Sequence, residues 1–480
     1  VGIVALALVC ADAADPEDLA SSTETYPEVQ EAQRARDMYY ERVFSTLQKL
    51  WSADGADGAE SPETRRARQA EVLRVAEKAA NEYFHERLYV WLLEEQRRTG
   101  DHHTEHALLS MRTPHLEPFL ANLFDQSLAA LAADPTCPEG DELRKNLDLL
   151  WKYYSKQGNH FRSALTLARL VERPQCGLTL AHRFDYLSQA KMQAELCVAG
   201  EGQADVQAQG AVGMELLNDI RERIQAAQVQ QAIYNEYDTR SRLPGGASAG
   251  VAAEYRTSMA ELDQRMFTVS ELYNRYALRS KFWECSLMIF HCSNHNDPRL
   301  VRNVWRKVFK QLFRCDAEVV RQRILSLGAR FYPSELVFPL RYLCRELEVW
   351  KLRHRLADRT FVVNVMRDIG VPYRVLFWEV YDYYMDHFLD LQEPNAPASF
   401  HAQQRADLLE VTAALLDQWT RRLLAGALPA AEQSQFEPQR IVAALDRYLA
   451  ELSGASAGDK RELKSFFEGL RESLLSGKYY

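Results

Sequence analysis

Apolar residues recur every three to four positions along nearly all of the 480 residues, and period-two alternation is almost absent. This pattern dictates amphipathic helices stacked on one another rather than a sheet. It predicts helices at roughly 26–51, 64–98, 114–133, 141–157, 160–172, 177–198, 211–238, 252–277 and 279–294. The series continues at about 297–315, 317–328, 333–353, 358–369, 372–389, 401–425, 435–452 and 459–475. Gly (21) and Pro (17) are sparse, which argues against collagen-like, low-complexity and turn-rich all-β chains.

The punctuation is helix–turn–helix chemistry. Thr113-Pro114, Asp297-Pro298 and Ser61-Pro62 each pair a capping side chain with Pro at the first helical position. Gly370-Val371-Pro372 reads as a stop and a restart, and Gly158-Asn159 as a stop and a cap. Such short joints fold neighbouring helices back on each other. Polar loops are expected at 52–60, 134–140, 200–210, 240–250, 392–399 and 453–458. None is long enough to separate domains, and no strict repeat appears. The expected fold is all-α: an irregular, elongated α-solenoid of stacked helix pairs running as one body over 1–480. Two or three compact helical bundles are the alternative.

The apolar run Val1–Cys10 is too short for a membrane span of about 20 residues, and no basic n-region precedes it. It reads as a buried helix whose upstream half is missing. The sequence is therefore expected to be the C-terminal fragment of a longer chain, with 1–25 forming a truncated helix plus an acidic loop. The eight Cys form no Cys-x-x-Cys pair and lie mostly in apolar helical runs, which fits a reducing compartment.

Catalytic motifs are missing: no phosphate-cradling G-x-x-x-x-G-K-[ST], no G-x-G-x-x-G after a strand, no G-x-S-x-G elbow and no H-E-x-x-H. His102, His103 and His106 read as an exposed loop entering a helix. Cys285, His291, Cys292 and His295 have zinc-ligand chemistry, but their run along one apolar helix does not wrap a turn around an ion. They read as a core helix, an enzyme built on them being the outlying alternative. The eight Trp and the Trp151–Tyr154 and Tyr381–Tyr384 clusters read as core packing. No catalytic residue, metal or cofactor is expected.

The stretch 299–355 holds 14 Lys or Arg against five acids, a net of +9 in a chain whose total is −9, so the remainder sums to −18. Arg299, Arg302, Arg306, Lys310 and Arg314 fall mostly outside the apolar stripe of helix 297–315. They are the candidate partner-binding residues. Such a face suits a solvated helix, an acidic partner, an anionic membrane or nucleic acid.

Several runs carry a family likeness. They are Phe84–Leu93, Thr113–Leu120, Leu147–Tyr154, Arg162–Leu170, Phe184–Leu187, Cys285–Cys292 with Asp297–Val301, Arg330–Phe-Tyr-Pro333, Ile369-Gly-Val-Pro372 and Glu379-Val-Tyr381. In order and spacing, over about 84–385, they resemble the C-terminal half of the large inner-ring scaffold nucleoporins, the one-fifty-five and one-seventy kilodalton class. Residues 400–480 resemble it weakly. The resemblance implies an α-solenoid that normally follows a β-propeller. It also implies a non-enzymatic structural part of the nuclear pore complex at the nuclear envelope, supporting nucleocytoplasmic transport. Its partners would be other nucleoporins, above all short segments of disordered linkers related to Gly-Leu-Phe-Gly repeats. Membrane association would be indirect, since the family assigns that contact mainly to the propeller. No small-molecule substrate is implied, and nucleic acid is not an expected partner. The alternative function is a helical-repeat adaptor working through the basic 299–355 face.

Overall fold

The computed structural model describes all residues except 22–25, 52–61, 134–139, 174–176, 200–205, 243–248, 294–296, 394, 454–460 and 477–480. Most of the predicted polar loops lie outside the described residues, as do Ser61 and His295. Every regular element among the described residues is a helix. The chain divides into two compact units, Val1–Thr268 and Val269–Tyr480.

The first unit contains α1 (Gly2–Ala14), α2 (Pro27–Trp51), α3 (Pro62–Ala76), α4 (Glu82–Thr99), α5 (His102–Leu109) and α6 (Leu116–Ala133). It continues with α7 (Gly140–Lys156), α8 (His160–Glu172), α9 (Leu180–Ala199), α10 (Val206–Arg242) and α11 (Ala249–Gln264). Neighbours along the chain pack on each other, and their apolar stripes merge into two cores. One is centred on Tyr40, Phe84, Leu88 and Leu92 of α2 and α4. The other is centred on Leu167, Leu187, Ala190 and Ile220 of α8, α9 and α10.

Polar side chains pin these helices in register. Arg36 of α2 is buried and donates from Nε to Asp15 Oδ2 at 2.8 Å. It also reaches Asp12 and Asp18 at 3.0 Å, tying α2 to the end of α1. Arg183 of α9 is fully buried and donates to the carbonyls of Leu178, Val171, Arg173 and Gln264. It thereby serves carbonyls that the ends of α8 and α11 leave without helical partners. Gln230 of α10 donates to the carbonyls of Leu262 and Arg265 and accepts from the Phe267 amide.

The last two contacts explain a difference from the periodic pattern. The spacing predicts one helix over 252–277, yet α11 stops at Gln264 because Gln230 captures the backbone of the turn that follows. Likewise the predicted helix 64–98 is two. Asn81 is buried, and its Oδ1 accepts from the Phe84 amide at 2.9 Å and from the Tyr40 hydroxyl at 3.2 Å. It caps α4. Thr113, expected as a cap, instead turns its hydroxyl to Tyr89, and α6 begins only at Leu116.

The second unit opens with α12 (Val269–Glu271), which runs on through a π-helical segment, Leu272–Ala277. Then come α13 (Trp283–Cys292), α14 (Pro298–Leu312), α15 (Ala317–Phe331), α16 (Leu340–Arg353) and α17 (Phe361–Ile369). After Gly370, whose φ of 103° suits glycine, α18 (Tyr373–Val375) passes through a second π segment, Leu376–Tyr381, into α19 (Asp382–Asp386). The short α20 (Phe388–Leu391), α21 (Ala398–Leu424), the short α22 (Ala430–Gln433), α23 (Pro438–Ser453) and α24 (Arg461–Leu475) complete it.

Gly328 shows how tightly α15 meets α17: a methyl group added there would overlap the side chain of Ile369. Gly328→Ala should therefore cost about 1–3 kcal/mol through overpacking. Ile369→Val in the same chain should recover part of the loss, as read by urea unfolding.

Candidate functional site

The predicted basic helix is α14, and its ends are built as the sequence implies. Asp297 caps it, accepting from the amides of Arg299 at 2.9 Å and Leu300 at 3.2 Å, with Pro298 in the first turn. Val301, Val304, Trp305, Val308, Phe309 and Leu312 are buried. Trp305 Nε1 donates to the Val337 carbonyl at 2.7 Å. That bond occupies the turn before α16, so the helix predicted from 333 starts at Leu340. Phe313 stacks between Phe309, at 4.8 Å, and Trp350, at 5.3 Å. α14 is thereby held rigidly, apolar face inward.

The opposite face carries the five predicted cations. Arg299, Arg302, Arg306 and Lys310 on α14 and Arg314 just beyond it are all exposed, at spacings of three or four residues that keep them on one side of the helix. None enters an ion pair with a described residue. Arg306 lies beside Tyr342, whose hydroxyl burial pushes up to about 12. Lys307, farther round the helix, places its ammonium 4.1 Å from the centre of the Trp283 ring.

Six further cations of the basic stretch are already occupied. Arg321 pairs with Asp368 at 2.7 Å, Arg323 with Glu284 at 2.5 Å and Arg345 with Glu346 at 2.6 Å. Arg353 pairs with Glu393. Arg341 donates to the Glu379 carbonyl at 2.6 Å and lies over Tyr383. Lys351 is not a surface cation: it is 1 % exposed and contacts Glu348 at 2.6 Å, Asp407 at 2.9 Å and the Arg359 carbonyl at 2.9 Å. Tyr381, at the end of the second π segment, donates to the same Glu348 at 2.6 Å. Burial alone would lower the Lys351 pKa, but the two carboxylates hold it above the usual lysine range. Burial pushes the Glu348 carboxyl up, against the pull of Lys351. Much of the +9 of the sequence is thus paired on other parts of the unit, and α14 carries an unpaired line of charge.

Beside α14 runs a groove of about 560 Å³ formed with α13 and α15, lined by Val308, Leu312, Cys315 and Val319 and rimmed by Glu284 and Arg323. Val319 is 51 % exposed. No sequence pattern marks this groove, because its walls come from three helices whose exposed apolar positions are single residues.

Of the other two clusters, His103 and His106 border a groove of about 480 Å³ with Leu73 and Met111. His102, His103 and His106 sit on α5, capped by Asp101 at the His103 amide, and not in the loop the sequence suggests. In α13, Cys285 is buried and His291 faces the Phe331 ring edge, while burial pushes up the half-buried Cys292 thiol. Among the described residues no three His, Cys, Asp or Glu gather as metal ligands. No described helix is long and apolar enough to cross a membrane.

Stacked helices tied together by buried charges, with an exposed groove and an exposed cationic helix face, define an all-helical scaffold. The chain belongs to the non-repetitive/WGA-negative nucleoporin C-terminal family, whose profile matches residues 1–461. It is thus a nucleoporin by family, of the nuclear pore complex at the nuclear envelope. It is 27 % identical over 285 residues to the nuclear pore complex protein Nup154 of Drosophila melanogaster, a match covering 57 % of this chain and 18 % of that protein. It is 21 % identical over 420 residues to nucleoporin NUP170 of Chaetomium thermophilum, covering 80 % of this chain and 26 % of that one. The chain therefore spans about a fifth to a quarter of these relatives' lengths.

Among solved structures, the Chaetomium thermophilum Nup170 CTD superposes with a TM-score of 0.68 at 20 % identity, over 98 % of this chain and 86 % of that one. The same domain solved as a complex with Nup145N gives 0.68 at 19 % identity, over 98 % and 87 %. These likenesses establish the fold. The resemblance seen in the runs of 84–385 extends through the family match to the weakly similar helices beyond 400.

Proposed function

We propose that this chain is a scaffold segment of the inner ring of the nuclear pore complex that holds short linear segments of linker nucleoporins and has no catalytic role. The observation that carries the reading is the complex of the similar Nup170 CTD with Nup145N, taken with family membership over 1–461. The linker segments are those related to Gly-Leu-Phe-Gly repeats, and contact with the pore membrane is indirect. The groove between α13, α14 and α15 suits such a ligand: an apolar anchor would cover Val319 and Leu312 while the ligand backbone met the polar rim. A disordered linker loses entropy on ordering, so one contact is modest and several linked contacts supply strength.

A pull-down of the chain against a panel of linker segments, with calorimetry on each hit, tests the reading. Stoichiometric binding that survives moderate salt is the expected result. Val319→Asp, at an exposed position, should weaken it about tenfold or more while leaving the unfolding midpoint in place. Absence of binding to every linker, with salt-sensitive binding to nucleic acid or anionic lipid, would favour the adaptor reading instead.

A further inference from the structure

The cation line on α14 goes beyond linker binding, since nothing in the groove requires it. From Arg299 to Arg314 the line is about 22 Å long, at 1.5 Å per residue, with one cation per turn of about 5.4 Å. No acid lies between Pro298 and Cys315, and none of the five cations forms an ion pair with a described residue. The neighbouring cations Arg321, Arg323, Arg345 and Arg353 are neutralised by partners. The free charge is therefore narrow, straight and periodic.

We infer that this face of α14 docks an acidic helix of another protein, with Asp or Glu at i, i+3 and i+4 spacing. The charge sign and the pitch both match, since carboxylates so spaced on a helix repeat at the same interval as the cations. A membrane is the poorer fit. Interfacial helices bury an apolar face in the lipid, and here Val301, Trp305 and Phe309 are spent in the core. Single-stranded nucleic acid is also the poorer fit. Such sites stack bases on exposed aromatics, whereas Trp305 and Phe309 are buried and Phe313 stacks between two rings. The partner need not be a linker nucleoporin, so this inference and the groove reading stand or fall separately.

The test uses the whole chain and a fluorescein-labelled peptide with Glu at i, i+4 spacing in an Ala background. A peptide of the same composition with scrambled spacing is the control. The regular peptide should bind, weakening with salt, and bind at least about tenfold better than the scrambled one. The triple variant Arg302→Glu, Arg306→Glu, Lys310→Glu should weaken it by about tenfold or more. The same variant should gain binding to the matching Lys peptide, a reversal that mere loss of structure does not produce. These positions are exposed, so an unchanged unfolding midpoint certifies the fold. Three outcomes overturn the proposal: equal binding of the scrambled peptide, indifference to the charge reversal, or tighter binding of oligo(dT) or of phosphatidylserine-containing vesicles than of the regular peptide.

Discussion

Replacing Lys351 with Met should destabilise the unit Val269–Tyr480 by about 3–5 kcal/mol. The ammonium is the counter-charge that Glu348 and Asp407 share, and it joins α16 to α21 while the Tyr381 hydroxyl binds the far oxygen of Glu348. Met fills a similar volume, so the loss measures two carboxyls left without their counter-charge and not a cavity. The pH dependence identifies the cause. An orphaned buried carboxyl binds a proton more readily folded than unfolded, so stability falls as pH rises from the unfolded pKa to the raised folded one. The deficit of Lys351→Met should accordingly be smaller near about pH 5 than near about pH 8. Adding Glu348→Gln and Asp407→Asn should restore most of the loss at the higher pH. A deficit independent of pH, in urea titrations followed by circular dichroism, would locate the effect in packing.

Arg36→Leu carries the second large effect, in the unit Val1–Thr268. Arg36 and Asp15 are 2 % and 5 % exposed, and removing the guanidinium leaves Asp15 with only the amides of Leu19 and Ala20, each at 3.0 Å. A cost of about 3 kcal/mol is expected. Burial alone would raise the Asp15 pKa, but the Ala20 amide, Arg36 and the Leu19 amide hold it below the usual carboxylate range. Its stabilising contribution is therefore complete above the unfolded value of about 3.9 and is lost as pH falls through the folded one. In hydrogen exchange, the amides of α1 should lose protection first, because Arg36 ties α2 to Asp12 of α1 and to Asp15 at its end. Uniform loss across the unit would argue for a wider role.

These two sites also mark where sequence reading stops. Local chemistry was legible: Asp297 before Pro298, Asn159 after Gly158, and Gly370 before Pro372 each end or start a helix where the residues say, because a cap is decided within four positions. The stripe of α14 was legible from its period, and the five cations predicted beside it are exposed. Long-range capture was not. Asn81 caps α4 through the nearby Phe84 amide, but its burial beside the distant Tyr40 hydroxyl has no sign in the local sequence. Lys351 reads as one more surface cation because Asp407 lies on a helix far along the chain. Charge counting treated 299–355 as a basic field, whereas Arg321, Arg323, Lys351 and Arg353 find acids on other elements. The groove beside α14 has no signature, since three helices contribute a few residues each.

Gln230 has a bearing on the order in which the chain assembles. Its one side-chain amide joins groups 32, 35 and 37 positions later, the carbonyls of Leu262 and Arg265 and the amide of Phe267. Until α10 is docked, that turn has only water for these backbone groups, and nothing local prevents the periodic pattern from running on as one long helix. The end of α11 is thus a late event, set by an element completed earlier in the chain. Synthesis from the N-terminus delivers the two in the order this requires.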